Sequence, residues 1–142
     1  MNETNLDPKY EYDLLKGWYD EWTKINKTFV FLSLTIIAFT ISIYGLGDPD
    51  TELDAQTMGE LRAVWTRLFA ASIAAGCSIC TAYVWMDVIR RERLPHLAGE
   101  VFTVKYGIRA VWIGAFGWVF SISAVLALLY GVLGLGHLAF EL

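Results

Sequence analysis

The sequence predicts an all-α membrane protein: three transmembrane helices preceded by an N-terminal amphipathic helix at the membrane interface. Three apolar stretches support this prediction, at about residues 28–46, 68–86 and 110–135, and none of them contains Asp, Glu, Lys, Arg or His. Each is close to or above the roughly 20 residues that a helix needs to cross a hydrocarbon core about 30 Å thick. Backbone polar groups in lipid must be paired within their own segment, so all three stretches are predicted to be helical.

The overall composition agrees with this class. Hydrophobic residues make up 56% of the chain and charged residues 18%, whereas charged residues are about 25% of a soluble domain. The 142 residues allow a cytoplasmic amphipathic segment, 1–27, and a three-helix transmembrane domain, 28–142. The net charge of -4 argues against a nucleic-acid partner. No basic segment leads directly into a short apolar run, so the first stretch is expected to be a retained helix and not a cleaved signal peptide.

The N-terminal segment has the pattern of an amphipathic helix. Asp7 suits the N-cap and Pro8 the first helical position. Its apolar residues recur at helical spacing: Tyr10, Leu14, Leu15, Trp18, Trp22 and Ile25. We expect this helix to lie at the bilayer surface, with Trp18 and Trp22 docking on a partner or on the chain's own 90–93 segment. A solvated lead-in is the alternative.

The loop after the first stretch is acidic, with Asp48, Asp50, Glu52 and Asp54 at alternate positions. This spacing is typical of the start of an EF-hand calcium loop, which also needs Gly at position six and Glu at position twelve. Those positions hold Leu53 and Gly59. A solvated acidic turn is therefore favoured over a calcium site.

The second helix is predicted to begin before its apolar stretch. Thr57 and Glu60 have the spacing of a capping box, so we expect the helix to start near Thr57 and to continue to about Arg93. Pro95 then ends it. Asp87 is expected to pair with Arg90 or Arg91, one turn further on.

The distribution of Lys and Arg predicts the topology. The N-terminal segment and the second loop together hold nine basic residues, against two in the first loop. By the positive-inside rule the N-terminus is cytoplasmic and the C-terminus lies outside, as in a bacterial-type inner membrane. Arg90, Arg91 and Arg93 are interpreted as a topology signal near anionic headgroups, with docking of a partner as the alternative.

Small residues on one face of a helix allow close approach of a second helix. The second stretch carries such a face, and the third repeats the pattern. The predicted helix-packing residues are Ala71, Ala74, Ala75, Ser78, Ala82, Gly114, Gly117, Ser121 and Ala124. They predict packing either within one chain or between chains.

The stretches hold no residues suited to intramembrane chemistry. Cys77 and Cys80 form a C-x-x-C within an apolar helix, where low dielectric favours neutral, inert thiols. His96 and His137 fall on opposite sides of the membrane, so they cannot both bind one haem. No catalytic residue, cofactor site or metal site is expected, and the chain is not expected to be an enzyme.

The functional expectation is a non-catalytic membrane subunit that stabilises or positions partners by helix–helix association. Its partners would be membrane lipid and other membrane subunits. The alternative is a self-assembling homo-oligomeric effector or channel, because a ring of identical chains can enclose a pore with a hydrophobic constriction.

Overall fold

The computed structural model describes residues 8–45, 53–93 and 110–141. They form three α-helices: α1 (Pro8–Ile43), α2 (Ala55–Arg93) and α3 (Ala110–Glu141). Each helix is long and apolar enough to cross a membrane, which confirms the prediction of an all-helical chain with three apolar spans. The predicted cap at Asp7, the loop residues 48, 50 and 52, and the positions of Pro95 and His96 lie outside the described residues.

Helix α1 passes without interruption through the boundary expected between residues 27 and 28. It contains 36 residues, so the N-terminal segment and the first apolar stretch form one rod. Apolar and aromatic side chains continue along its first half, from Tyr10 to Phe29. The structure therefore has one continuous element where the sequence suggested a surface helix followed by a span.

The cap of α2 differs from the predicted one. The backbone N–H of Thr57 donates to Asp54 Oδ2 at 3.3 Å, so Asp54 is the N-cap and the helix begins at Ala55, two residues before the expected start. Hydrogen bonds from the Thr57 hydroxyl and backbone N–H lower the pKa of the Asp54 carboxyl. Asp54 stands three residues before Thr57, so the helix gains about one turn at its start, and the Asp54 side chain accepts from a free N–H of that first turn.

The other end of α2 agrees with expectation. The helix ends at Arg93, as predicted. Arg91 Nη2 lies 2.7 Å from Asp87 Oδ2, so the ion pair predicted one turn apart is confirmed, with Arg91 as the partner.

Helix α2 is central to the bundle. It packs most extensively on α3 and also on α1, whereas the backbones of α1 and α3 approach each other at only a few positions. Two hydrogen bonds define the antiparallel register of α1 and α2: Trp22 Nε1 donates to Ser78 Oγ at 2.9 Å, and Trp65 Nε1 donates to Thr40 Oγ1 at 2.7 Å. The seam between α1 and α2 is thus pinned near both ends.

This register displaces the first apolar stretch along the bundle axis. Ile37, the midpoint of 28–46, packs in one buried cluster with Leu68, which is the first residue of the second stretch. The midpoint of the second stretch, Cys77, lies about nine residues further along α2, or about 14 Å at 1.5 Å per residue. The three stretches therefore do not share one depth.

The bundle has two halves with different interiors. One half, formed by residues 33–45, 53–71 and 128–141, holds an apolar cluster. We call it the carboxyl-terminal half because it contains the carboxyl-terminal ends of α1 and α3. The buried members of the cluster are Ile37, Leu61, Val64, Leu68 and Leu138. The amino-terminal half, formed by residues 8–29, 75–93 and 110–125, instead holds a polar cluster and most of the tryptophans.

Candidate functional site: a polar cluster beside an aromatic groove

Four side chains from all three helices form a hydrogen-bonded cluster, the tetrad Trp22, Asn26, Ser78 and Ser121. The indole N–H of Trp22 lies 2.9 Å from Ser78 Oγ and 3.1 Å from Ser121 Oγ. The two serine oxygens are 2.7 Å apart. Ser78 also donates to the backbone carbonyl of Gly117 at 3.0 Å, so the tetrad joins α1, α2 and α3 at one level.

Asn26 and Ser78 are the most enclosed residues of the tetrad, each with 0% exposure. Asn26 makes bonds to both α1 and α3. Its Nδ2 donates to the Trp22 carbonyl at 3.0 Å and to Ser121 Oγ at 3.1 Å. The single hydroxyl proton of Ser121 faces two acceptors, Ser78 Oγ at 2.7 Å and Asn26 Oδ1 at 3.3 Å. Because an unpaired polar group in an apolar interior is costly, this shared bonding favours one arrangement of the three helices.

Gly117 makes room for the Trp22 ring. A Cβ atom at this position would overlap Trp22 Cζ2 and Cη2. The ring also stacks on Trp118, with centroids 6.4 Å apart, and meets Trp85 edge-on at 5.9 Å. Offset stacking and edge contacts are the favoured geometries of aromatic pairs, so the indole is held on several sides.

A groove of about 550 Å³ runs between α1 and α3 beside the tetrad. Asn26 and Ser121 line it, and Glu21 is its one charged lining residue. The remaining lining residues are apolar or aromatic: Gly17, Trp18, Trp22, Ile25, Phe29, Trp118, Ile122, Val125 and Leu126. A volume of this size lies within the range of about 300–1,000 Å³ that is usual for ligand-binding clefts.

A second cavity of about 360 Å³ adjoins the groove. Trp18, Trp22 and Trp118 line both, and Trp85 closes the second one. Gly114 allows the close packing of Trp85, because a Cβ there would lie 3.2 Å from the indole nitrogen. Four tryptophans therefore surround this end of the bundle.

Most of the small residues expected to mediate helix packing are buried within the chain. The buried ones are Ala71, Ala75, Ser78, Ala82, Gly117, Ser121 and Ala124, and Ala74 and Gly114 are half-buried. They lie where α2 packs on its two neighbours. The close approach that they permit is used inside this chain, whereas the groove is a concave surface open to another molecule.

The residues expected at the interface are found in different surroundings. Trp18 is 64% exposed and lines the groove, whereas Trp22, expected on the same outward face, is half-buried among the three helices. Arg90 is exposed, and Arg91 pairs with Asp87. Arg93 is the last residue of α2, and its side chain lies outside the description.

Sequence reasoning missed Asn26 and Trp118. Asn26 directly precedes Lys27 and falls before the first apolar stretch, so it was not assigned to a membrane helix. A signal was present, because Asn26, Ser33 and Thr40 recur every seven residues and all three are buried on one side of α1. Trp118 has no comparable signal, since its role depends on the position of Trp22.

The chemistry of the described residues is that of packing and hydrogen bonding. Cys77 and Cys80 are free thiols, and no group of three or more His, Cys, Asp or Glu residues in the described ranges is arranged to hold a metal ion. No protein-family model, no curated protein and no solved structure matches this chain.

Proposed function

We propose that this chain is a non-catalytic integral membrane subunit that binds a partner transmembrane helix in the groove between α1 and α3. The observation behind this proposal is that the backbones of the two outer helices approach each other at only a few positions and leave an apolar, aromatic groove beside a buried polar cluster. The small-residue faces are engaged inside the chain. Association with another protein is therefore assigned to the groove and not to the alanine face of α2.

The dimensions of the groove suit a helix. Its lining on α1 extends from Gly17 to Phe29, which is about 18 Å of helix at 1.5 Å per residue. Lipid tails are as apolar as leucine, so helix association in a membrane depends on close packing and on hydrogen bonds. The rings of Trp18 and Trp118, 64% and 58% exposed, supply large rigid surfaces for such packing.

The charge of the groove specifies one feature of the partner. Glu21 is exposed at the level between Trp18 and Trp22. A Lys or Arg on the partner helix at that level pairs with Glu21 and also meets the faces of the nearby indoles, as in a cation–π contact. An acidic residue there disfavours binding.

The orientation belongs to the same proposal. The excess of Lys and Arg places the N-terminus of α1 and the loop between α2 and α3 in the cytoplasm of a bacterial-type inner membrane. The first turns of α1 then extend from the cytoplasmic interface as an amphipathic continuation of the span. The groove opens toward the headgroups and the adjoining lipid of the cytoplasmic leaflet.

The test places a photoreactive amino acid at Leu126, which lines the groove, in the full chain in its native membrane. Illumination is expected to give a discrete cross-link to a membrane protein. Ile122→Trp, which fills the groove, is expected to reduce that cross-link at least fivefold. Ser123→Trp is the matched control, since Ser123 is the adjacent exposed residue and does not line the groove.

The outcomes separate the candidate functions. A cross-link to a different membrane protein, lost in Ile122→Trp and kept in Ser123→Trp, supports the subunit proposal. A cross-link to a second copy of this chain supports the homo-oligomeric alternative. Cross-links to lipid alone contradict both.

A further inference from the structure

Two exposed cations, Lys27 on α1 and Arg67 on α2, lie unexpectedly close together along the bundle axis. Lys27 follows Asn26, which is bonded to Ser121 at the level of Ser78. Arg67 precedes Ser78 by eleven residues on α2. Lys27 is therefore level with about Cys77, and the two α-carbon levels are about 15 Å apart at 1.5 Å per residue.

This spacing is about half the thickness of a bilayer core. The hydrocarbon region is about 30 Å thick, and neither cation can lie in it with its charge solvated by lipid tails. The sequence alone does not indicate this short spacing, because Lys27 and Arg67 each lie just before an apolar stretch, at positions 27 and 67. The two cations come close only because the hydrogen bonds of the tetrad and of Trp65 shift α1 along the bundle axis relative to α2.

The side chain of Arg67 lies against α3. Its Nη1 lies 3.5 Å from the Tyr130 carbonyl oxygen, and a Cβ at Gly134 would come within 3.1 Å of it. Gly134 also packs against Val64, one turn closer to the carboxyl-terminal end of the bundle. The guanidinium therefore lies on the surface of α3, near the level of Arg67 itself.

Lys27 lies on the opposite side of the bundle in a cationic stripe. Lys24 and Lys27 are both exposed there, and they line a shallow concave surface of about 500 Å³ with Asp20, Thr23, Thr28 and Phe31. Asp20 is the acidic residue of this surface and precedes Lys27 by two turns. The stripe thus has a net positive charge that is greatest at its deeper end.

We propose that Lys27 and Arg67 bind lipid phosphates from opposite leaflets and thereby hold a locally thinned bilayer around the bundle. Long cationic side chains extend along apolar surface to keep their charge at the headgroups. The lengths of the two side chains make up part of the difference between the spacing of about 15 Å and the core of about 30 Å. Local thinning of the bilayer makes up the remainder. The ligand is the phosphodiester group of the surrounding phospholipids, drawn inward on both faces.

The experiment uses the full chain in vesicles of brominated phosphatidylcholines whose chains increase from fourteen to twenty-two carbons. Bromine quenches the fluorescence of neighbouring tryptophans, and Trp18, Trp112 and Trp118 are all more than half exposed, so quenching reports the relative affinity for each lipid. The wild-type chain is expected to prefer the fourteen- or sixteen-carbon lipid at least twofold over the twenty-carbon one. The double variant Lys27→Met, Arg67→Met is expected to shift this preference by four carbons or more toward longer chains.

Two controls isolate the effect of charge at these positions. Lys27→Arg with Arg67→Lys keeps both charges and is expected to retain the short-chain preference. Lys16→Met removes an exposed charge of α1 that lies beyond this belt and is expected to change nothing. If the double variant does not fold, Lys27→Met alone serves as the test, and its preferred lipid chain length is expected to shift by about half as much.

A wild-type optimum at eighteen carbons or longer overturns the proposal. An optimum that is the same in the wild type and in the folded methionine variants also overturns it, because the charges then do not determine the lipid thickness. Loss of the short-chain preference in the charge-conserving variant would show that side-chain shape, and not phosphate binding, is responsible.

Discussion

The two halves of the bundle are held together by different interactions. In the amino-terminal half, the tetrad joins three helices through hydrogen bonds between four pairs of side chains, with the Gly117 carbonyl as a further acceptor. In the carboxyl-terminal half, an apolar cluster fills the interior, and Trp65 donates one bond across the α1–α2 seam. Apolar contact is available from lipid as well as from protein, so the hydrogen bonds are what distinguish one helix register from another.

Both halves nevertheless have the same kind of hydrogen bond between α1 and α2. A tryptophan N–H crosses the seam to a hydroxyl, from α1 to α2 at Trp22 and from α2 to α1 at Trp65. Between these two points, the buried oxygens of Ser33 and Ser72 have no hydrogen-bond partner among the described residues. The seam is therefore specified at its ends and weakly specified in its middle.

Gly117→Ala is expected to have the largest effect on stability, because the amino-terminal half has no space for the added methyl group. The new Cβ overlaps the Trp22 ring, which is fixed by hydrogen bonds and by Trp118 and Trp85. We expect a loss of about 2–3 kcal/mol of stability, as for other overpacked sites, in reversible unfolding in mixed micelles. Gly76→Ala is the control, with nothing within 4 Å of its Cβ, and a loss there of similar size would contradict this account.

The second comparison removes one indole N–H from each half. Trp22→Phe deprives both Ser78 and Ser121 of a donor and also removes ring atoms that pack on Gly117. We expect a loss of at least about 1–2 kcal/mol, the upper limit for hydrogen bonds between membrane helices. Trp65→Phe deprives only Thr40, whose hydroxyl still donates to the Ile37 carbonyl at 2.8 Å, and we expect about 0.6 kcal/mol. Equal losses, measured in the same micelles, would mean that the tetrad adds no specificity.

Gly131→Ala tests how far the apolar half can adjust. Its Cβ would lie 2.7 Å from Leu68 Cδ2, a flexible side-chain end that can change rotamer. We expect a loss below about 1 kcal/mol, the lower limit for overpacking. Gly136→Ala, with open space around its Cβ, serves as the matched control and should be neutral, and a loss at Gly131 as large as at Gly117 would refute the contrast between rigid and adaptable halves.

The smallest effect is expected at the cap of α2. Asp54→Ala removes the acceptor for the Thr57 N–H, whereas Asp54→Asn keeps a capping oxygen. Because folding lowers the pKa of Asp54, its contribution is complete above the ordinary value of about 3.9 and is lost as the pH falls through the folded-state pKa. Thermal unfolding of wild type and Asp54→Ala should therefore differ slightly at neutral pH and converge in acid, and a difference that grows in acid would contradict the assignment.

Several elements followed directly from local patterns. The three helices, the end of α2 at Arg93 and the pair of Arg91 with Asp87 depend on run length, a following proline and one-turn spacing. The start of α2 was misjudged because Asp54 and Thr57 are both good capping residues, and the choice between them depends on which oxygen reaches the free N–H. The seven-residue recurrence of Asn26, Ser33 and Thr40 is visible in the sequence. It was overlooked because the expected boundary at residue 27 separates Asn26 from the other two residues.

The sequence by itself determined that three helices are long and apolar enough to cross a membrane, because the free energy of transfer into lipid is a sum over the residues of one segment. Only the tertiary structure decided their relative depth, because depth depends on contacts between residues far apart in the chain. Trp22 reaches Ser78 and Ser121 across 56 and 99 positions. That contact sets α1 deeper than its apolar stretch alone indicates, opens the groove beside α3, and brings Lys27 and Arg67 within half a bilayer of each other.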